Sequence, residues 1–180
     1  MNIRSERLTI TDLSMDMCRD YQRNSVDEDN RKFVPDEVCE TLEDAERTLK
    51  WLIRAGWTPE GPFVYPVIKK DGKNIGYVQA CPIEEGFEIG YHIAKEYTGN
   101  GYATEAVRAF LPVIMKKLQI DSIYGIVLEE NKASHRVLEK CGFKMIYCGE
   151  GNYQGVSRAL KKYVYKIQNE TLSVHDDRNR

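Results

Sequence analysis

The sequence predicts a mixed α/β fold in which helices pack against a central sheet. Three observations support this prediction. Short strand-like segments separated by turn residues fill residues 63–93, and apolar side chains then recur with a helical period over 103–118. A near-continuous apolar run over 122–128 follows, as expected for a strand that is covered on both faces.

The first third of the chain predicts one strand and two helices. Residues 6–10 alternate like a strand, and residues 12–24 carry apolar side chains at helical spacing. The polar residues 25–40 favour an irregular link between this helix and the next. A capping-box pattern then opens a clearer helix over 41–55, which Gly56 ends.

The middle of the chain predicts an antiparallel run of three strands. Two of them, residues 63–69 and 75–80, are joined by an Asp-Gly turn. The third, residues 87–93, directs its apolar side chains to one face. Glu88 and His92 therefore share the opposite face, which places two titratable groups on one side of this strand.

The second half of the chain predicts two helices and three further strands. The helix over 103–118 contains Pro112, which we expect to kink the helix or to end its regular part. The buried strand over 122–128 is followed by a short helix over 131–141. The last two strands are predicted over 145–148 and 159–167.

Length and composition fit one domain without a strong bulk charge. The 180 residues suit a single domain over 1–168, followed by a polar tail over 169–180 that we expect to be disordered. With 26 basic and 28 acidic residues, the net charge of −2 argues against a protein that coats nucleic acid or an anionic membrane. No apolar run approaches the length of a membrane helix.

Cysteine usage and the first residues favour the cytoplasm. The five cysteines are odd in number and contain no C-x-x-C pair, which argues against a disulfide framework and a zinc site. His135 and His175 have no partners at metal-ligand spacing, so no metal site is predicted. The chain start lacks the apolar segment of a signal peptide, and we expect a cytoplasmic protein.

The most informative segment is the glycine turn, residues 97–105, between a strand and the long helix. Gly99 and Gly101 let the backbone turn sharply, and the helix start offers unpaired N–H groups. These features predict an anion site suited to a pyrophosphate, with an ordinary strand–helix turn as the alternative. Thr104 breaks the G-x-G-x-x-G motif, and no G-x-x-x-x-G-K-S/T motif occurs. Glu105 is expected to stabilise the helix N-terminus.

A second polar segment opens the short helix, with the sequence N-K-A-S-H-R-V-L-E-K-C-G-F over 131–143. Asn131 follows a buried strand, and its residue type favours a helix N-cap. Ser134 falls in the first helical turn. Taken alone, neither residue indicates a reaction.

Together the two segments resemble the GCN5-related N-acetyltransferase (GNAT) superfamily. The window from Thr98 to Ala103 resembles its pyrophosphate loop, Q/R-x-x-G-x-G/A, and residues 131–143 resemble the segment that lies near its thioester. The run G-x-G-Y-A-T-E-A and the opening Glu6-Arg7-Leu8 are most similar to the branch of the ribosomal-protein-alanine N-acetyltransferases. The resemblance implies a three-layer fold, with a mixed, mostly antiparallel sheet that splays between the fourth and fifth predicted strands and helices on both faces.

The resemblance also implies that acetyl-CoA is the acetyl donor. Its pantetheine would pair with the backbone of Tyr91, His92 and Ile93 in the splay, and Asn131 and Ser134 would lie near the thioester. Its pyrophosphate would take N–H groups from the glycine turn, at Thr98, Gly99, Asn100, Gly101, Tyr102, Ala103 and Thr104.

Two departures from the family pattern bear on the mechanism. Thr98 stands where many members carry Gln or Arg, and Leu138 stands where many carry a Tyr that protonates the leaving thiolate. Ser134 is then the nearest proton donor, with water as the alternative. Glu88 and His92 are the candidate bases for a primary amine that attacks the thioester directly, and structural contacts are the alternative for both.

The acceptor pocket is expected between the first two helices, the link over 25–40 and the loop near 147–158. The acidic residues 27–29, with Glu37 and Glu40, suit a cationic amine, although a solvated loop shows the same pattern. A protein N-terminus, a polyamine, an amino sugar and a small metabolite all stay open as acceptors. A non-catalytic acyl-CoA-binding or sensor module is the alternative function. A homodimer stays open as the assembly of the protein.

Overall fold

An eight-stranded sheet forms the centre of residues 1–167, the part of the chain that the computed structural model describes. The strands are β1 (Asn2–Arg4), β2 (Leu8–Thr11), β3 (Phe63–Lys69), β4 (Asn74–Ile83), β5 (Gly86–Ile93), β6 (Ser122–Leu128), β7 (Lys144–Tyr153) and β8 (Val156–Lys166). The α-helices are α1 (Cys18–Ser25), α2 (Glu28–Phe33), α3 (Leu42–Ala55), α4 (Tyr102–Leu118) and α5 (Lys132–Lys140). Single turns of 3-10 helix lie at Met15–Met17, Pro35–Glu37 and Lys95–Tyr97.

The sheet has the strand order β1-β2-β3-β4-β5-β6-β8-β7. Every neighbouring pair is antiparallel except β5 and β6, which run parallel. The predicted mixed, mostly antiparallel sheet is therefore confirmed. β5 and β6 share a single register position, Glu88 opposite Tyr124, so the two strands separate where the splay is predicted.

Helices cover both faces of the sheet. Tyr65 of β3 lies in the same buried cluster as Phe110 of α4. Val64, the preceding residue of β3, lies in a second cluster with Leu52 of α3. Successive residues of a strand point to opposite faces, so α3 and α4 lie on opposite sides of the sheet. The predicted three-layer fold is confirmed.

Pro112 lies inside α4, which runs without interruption from Tyr102 to Leu118. Of the two expected effects of Pro112, an end to the regular part of the helix is wrong, whereas a kink at this position stays a prediction. Phe110 and Ile114, on either side of the proline, are fully buried. A proline inside a helix costs about 3 kcal/mol, whereas each buried side chain of this size contributes roughly 1.5–3 kcal/mol. The apolar stripe therefore outweighs the lost backbone hydrogen bond.

The N-terminal elements differ from the prediction in their boundaries. The strand predicted over 6–10 is a hairpin of β1 and β2, closed where the N–H of Ser5 donates to the carbonyl of Leu8. The helix predicted over 12–24 starts as a 3-10 turn and continues as α1. Short strands and single turns carry few residues, so periodicity does not resolve them.

The link over 25–40 is not irregular, because it contains α2 and the turn Pro35–Glu37. Asp27 caps α2 by accepting the N–H of Asn30 at 2.9 Å. The helix has the sequence E-D-N-R-K-F, in which Phe33 is the apolar residue. No apolar stripe marks such a helix in the sequence, which is why the prediction missed it.

β7 and β8 form a longer hairpin than predicted, and most of the expected loop near 147–158 belongs to these strands. None of the helices in residues 1–167 has the length and apolar character that crossing a lipid bilayer requires. Residues 168–180 lie outside the described part of the chain. The predicted domain end at 168, the predicted tail over 169–180 and His175 all fall there.

Candidate active site

β5 has a free edge where it separates from β6. β5 stays paired with β4 along its whole length, whereas its pairing with β6 ends at Glu88. The edge that faces β6 therefore carries backbone groups without strand partners from Ile89 to Ile93. Tyr91 and His92 lie within this stretch, where an extended ligand can pair like an added strand.

The Glu88 side chain occupies the opening of the splay. Its Oε1 atom accepts the N–H of Ile126 at 3.1 Å. This N–H belongs to β6 beyond the last residue that pairs with β5. The carboxylate thus satisfies a backbone donor that the separation of the strands leaves open.

The glycine turn presents a run of free backbone donors. Gly99 and Gly101 adopt left-handed conformations, with φ of +78° and +79°. The N–H of Thr98 donates to the carbonyl of Lys95 and that of Glu105 to the carbonyl of Gly101, whereas the N–H groups of residues 99–104 have no protein partner in the described structure. Six consecutive N–H groups at the start of a 17-residue helix form a site suited to phosphate.

The start of α5 faces the splay and is capped by Asn131. The Asn131 side chain accepts the N–H of Ser134 at 3.1 Å, so the predicted N-cap is present. The Ser134 carbonyl accepts the Tyr91 hydroxyl at 3.0 Å, while the Ser134 hydroxyl has no protein partner among residues 1–167. Leu138 is buried against Gly125 of β6, where a Cβ atom would lie 2.8 Å from the leucine methyl.

One cavity of about 820 Å³ joins these elements. It runs from the glycine turn along the free edge of β5 and the start of α5. It ends at the acceptor wall, which we define as α2, the turn Pro35–Glu37 and Tyr153 of β7. The predicted site residues that line it are Glu88, Tyr91, His92, Ile93, Thr98, Gly99, Gly101, Tyr102, Ala103, Thr104, Asn131 and Ser134.

Asn100 is the predicted site residue that does not line this cavity. Its amide group donates to the carbonyls of Tyr97 and Thr98, at 3.1 and 3.0 Å. Its own carbonyl accepts from Arg7 at 3.0 Å. The Asn100 side chain therefore shapes the glycine turn from within rather than facing a ligand.

Comparison with known proteins identifies the family. The sequence profile of the Acetyltransferase (GNAT) domain matches residues 7–144. The chain belongs to the GNAT family. The predicted superfamily is confirmed.

Relatives and solved structures are consistent with this GNAT membership. The chain is 32% identical over 111 residues to YkkB of Bacillus subtilis, covering 56% of this chain and 63% of YkkB, less than two thirds of that protein. It is 29% identical over 147 residues to the uncharacterized N-acetyltransferase YnaD of Bacillus subtilis, covering 80% and 83%. The fold matches the ribosomal L7/L12 alpha-N-protein acetyltransferase RimL in complex with coenzyme A, with a TM-score of 0.78, 16% identity and coverage of 93% and 98%.

Glu88 is tuned to titrate near neutral pH in this GNAT domain. Burial raises the pKa of Glu88 from its ordinary 4.5 to about 7. The hydrogen bond from Ile126 opposes this rise in pKa, and the negative charge of Glu37 adds to it. A carboxylate with such a pKa is well matched to proton transfer at neutral pH.

Glu37 is a site residue whose role sequence reasoning missed. Its carboxylate accepts the Tyr77 hydroxyl and, at 3.4 Å, the Gln79 amide. Burial and the charge of Glu37 raise the pKa of Tyr77 well above its usual range, so the phenol stays protonated and donates. Glu37 and Glu88 line the same cavity, and neither pairs with a basic side chain among residues 1–167.

His92 contacts Asp27 at the end of β5. Its Nε2 atom lies 2.9 Å from Asp27 Oδ2, although no acceptor within residues 1–167 lies in line with that N–H. Burial favours a higher pKa for Asp27, but the close contact with His92 and the hydrogen bond from the N–H of Asn30 outweigh burial and lower that pKa. Asp27 also accepts the N–H of Lys95 at 3.1 Å. Asp27 is therefore not part of a solvated acidic loop. Its carboxylate caps α2 and contacts His92 of β5.

Proposed function

We propose that this protein moves the acetyl group of acetyl-CoA to a primary amine within a ternary complex. The observation that carries the proposal is the continuous cavity. One end offers unpaired N–H groups at a helix start, and the other holds Glu88, whose pKa is about 7. GNAT membership and the coenzyme A bound to RimL support acetyl-CoA as the donor.

The backbone of the protein positions acetyl-CoA. The N–H groups of residues 99–104 and the positive end of the α4 dipole bind the pyrophosphate. The free edge of β5 from Tyr91 to Ile93 pairs with the pantetheine. Asn131 and Ser134, at the start of α5, flank the thioester. Acetyl-CoA supplies the reactive thioester, and the protein holds it in reach of the amine.

The reaction is a direct attack on the thioester carbonyl. The amine nitrogen forms the new C–N bond, and the C–S bond breaks. Glu88 takes the proton that the attacking amine loses, through a water molecule. The leaving thiolate is protonated by water, directly or through the Ser134 hydroxyl, which regains its proton from water. Glu88 then releases its proton to solvent, so the products are the N-acetyl amine and CoA. His92, held by Asp27, is the second candidate base.

The acceptor is a cationic amine that enters along the acceptor wall. Glu37 binds its ammonium form, because this carboxylate lines the cavity without a basic partner in the described residues. An α-amino group has a pKa of about 8 and is partly neutral at neutral pH, which favours a protein N-terminus or a small amine of similar basicity. The cytoplasmic location and the homodimer stay predictions.

A non-catalytic acyl-CoA-binding or sensor module is the second candidate function. Leu138 favours it, because this buried side chain brings no hydroxyl to the position where many relatives carry a Tyr. A sensor would bind CoA through the same backbone groups and would show no turnover that depends on Glu88 or Ser134.

The test is thiol release from acetyl-CoA in the presence of an amine panel. The panel contains short peptides with free N-termini, diamines, an amino sugar and an α-acetylated lysine peptide. We expect at least one amine to yield thiol and N-acetyl product in equal amounts by mass spectrometry. Binding of CoA without transfer to any amine would favour the sensor. A melting temperature that saturating CoA leaves unchanged would contradict both functions.

A further inference from the structure

Apart from the Asn100 amide, the side chains of the glycine turn do little to hold its shape. Residues 99–101 are exposed, and two of them are glycines in left-handed conformations. Glycine loses more conformational freedom on ordering than any other residue. The short side chain of Thr98 turns back toward the preceding residues, where its hydroxyl donates to the carbonyl of Lys95 at 2.9 Å. Beyond the hydrogen bonds of the Asn100 amide, the shape of the turn therefore depends on contacts from elsewhere in the chain.

Arg7, which lies just before β2, supplies these contacts. Its Nη1 atom donates to the carbonyl of Asn100 at 3.0 Å, and its Nε atom donates to Glu105 at 2.7 Å. Its guanidinium carbon lies 4.5 Å from the ring centroid of Tyr102, in cation–π geometry. One side chain thus contacts the middle of the turn, its end and the first residue of α4.

Glu105 anchors Arg7 in this position. Its Oε1 atom accepts the Ser5 hydroxyl and the Arg7 backbone N–H, both at 2.7 Å. Burial favours a higher pKa for Glu105, but the hydrogen bonds from Ser5 and Arg7 outweigh it and lower that pKa. The carboxylate is therefore ionised at neutral pH and engaged on the outer side of the turn. The expectation that Glu105 acts through the helix N-terminus misses this contact.

The contact with Asn100 fixes the direction of a phosphate donor. In a trans peptide the carbonyl of one residue and the N–H of the next point in opposite directions. Arg7 holds the Asn100 carbonyl on the outer side of the turn. The N–H of Gly101 then points the other way, and Gly101 lines the cavity.

Charge gives Arg7 a second effect at the same place. Glu105 puts a negative charge in the first turn of α4, next to the N–H groups that would receive a polyanion. The Arg7 guanidinium forms a salt bridge with that carboxylate. Without Arg7, the turn would be both looser and more negative.

We infer that Arg7 is a positioning residue for acetyl-CoA. Through its contacts with Asn100 and Glu105, Arg7 holds the glycine turn in its phosphate-binding shape. We call this contact set the Arg7–Glu105 brace. The inference rests on the proposed placement of the pyrophosphate at the glycine turn.

Binding of CoA, measured by calorimetry, is the first arm of the test. Arg7→Ala should weaken the affinity for CoA about tenfold or more, because two charge-assisted hydrogen bonds to the turn and its helix are lost. Glu105→Gln should weaken it less, since it loosens Arg7 but also removes a negative charge. Arg4→Ala is the matched control, because Arg4 is exposed and its side chain has no partner in the described residues. It should leave the affinity unchanged.

The second arm separates positioning from a general structural role. S-acetylpantetheine carries the thioester but no pyrophosphate. Arg7→Ala should lower kcat/KM for acetyl-CoA at least tenfold and leave kcat/KM for S-acetylpantetheine within twofold of the wild type. An equal loss of kcat/KM for both thioesters, or an unchanged affinity for CoA, would contradict the positioning role of Arg7. If the wild type acetylates no amine, the proposed function fails, and the calorimetric arm still decides the role of Arg7.

Discussion

The two ends of the cavity use different chemistry. The end that we propose binds acetyl-CoA, the donor end, is built from backbone groups, namely the free N–H groups of residues 99–104 and the open edge of β5. The end that we propose binds the amine, the acceptor end, is built from side chains, above all the carboxylates of Glu37 and Glu88. The donor is the same molecule in every turnover, so fixed backbone geometry suits it. The acceptor needs a group that changes its protonation state, which a backbone amide does not do.

This contrast explains why net charge carries no sign of a polyanionic ligand. The chain has a net charge of −2, yet the donor end needs no basic surface, because helix-start N–H groups supply the positive potential. The acceptor end carries two carboxylates instead. Changes at one end should therefore affect the donor alone, and changes at the other end should affect the acceptor and the chemistry alone.

The largest effect is expected at Glu88. Glu88→Gln should lower kcat about 100-fold, because it removes the general base, and should leave the affinity for CoA within twofold of the wild type. In the wild type, kcat/KM should rise as the pH passes through about 7, since the ionised carboxylate is the active form. The variant should lack that rise. Glu84→Gln is the control, as Glu84 is exposed on the neighbouring turn. A full loss of CoA binding in Glu88→Gln would contradict the assignment of Glu88 to the acceptor end, because the variant would then affect the donor as well.

The second effect concerns the donor end. Gly101→Val should weaken CoA affinity about tenfold or more, because valine disfavours the left-handed conformation at φ +79°. Gly72→Val is the matched control, since Gly72 has φ +86° in the hairpin between β3 and β4 and open space around its Cβ position. Both variants should lose similar stability in urea. CoA affinity, measured by calorimetry, should fall in Gly101→Val alone, and an equal fall in both would contradict the assignment of the glycine turn.

A smaller effect is expected at Glu37. Glu37→Gln should raise KM for the amine about fivefold to tenfold, because the ammonium loses a half-buried carboxylate partner, and KM for acetyl-CoA should not change. Steady-state kinetics with each substrate varied in turn gives both values. Glu43→Gln, an exposed position on α3, serves as the control. A rise in KM for acetyl-CoA instead would place Glu37 at the donor end.

The smallest effect is on stability. Folding raises the pKa of Glu88 from 4.5 to about 7, so this group contributes stability below about pH 4.5 that is lost as the pH rises through 7. The free energy of unfolding of the wild type should therefore fall more between pH 5.5 and 8 than that of Glu88→Gln, by about 1–3 kcal/mol. Urea unfolding of both proteins at the two pH values measures this. Equal changes would mean that Glu88 is not held protonated by burial.

The local geometry of the proposed donor end could be predicted from the sequence because local signals define it. The glycine turn and Asn131 each lie within one short segment, and their backbone roles follow from residue type and position at a helix start. The period change after residue 93 also placed α4 correctly. The residue type of Pro112 did not predict whether the helix continues, because burial of the surrounding apolar stripe decides that outcome.

The acceptor end could be predicted only in part. Glu88 follows from strand alternation, but its raised pKa depends on burial in the folded chain and on the charge of Glu37, which is distant in sequence. Glu37 lies in a segment without an apolar period, and its contact with Tyr77 spans 40 positions. Arg7 belongs to a recognisable opening motif, yet its partner Glu105 is 98 positions away. Such pairings emerge only when the topology is known.

Hydrogen exchange with and without saturating CoA tests most directly whether backbone groups hold the donor. Binding should slow exchange at residues 99–104, whose N–H groups lack protein partners, and along the open edge of β5 from residue 89 to 93. Amides of the β7–β8 hairpin near residues 156–158 should not respond, because they lie outside the cavity. Slowed exchange in these two segments is the predicted result. Unchanged exchange at 99–104 with CoA bound would contradict the account.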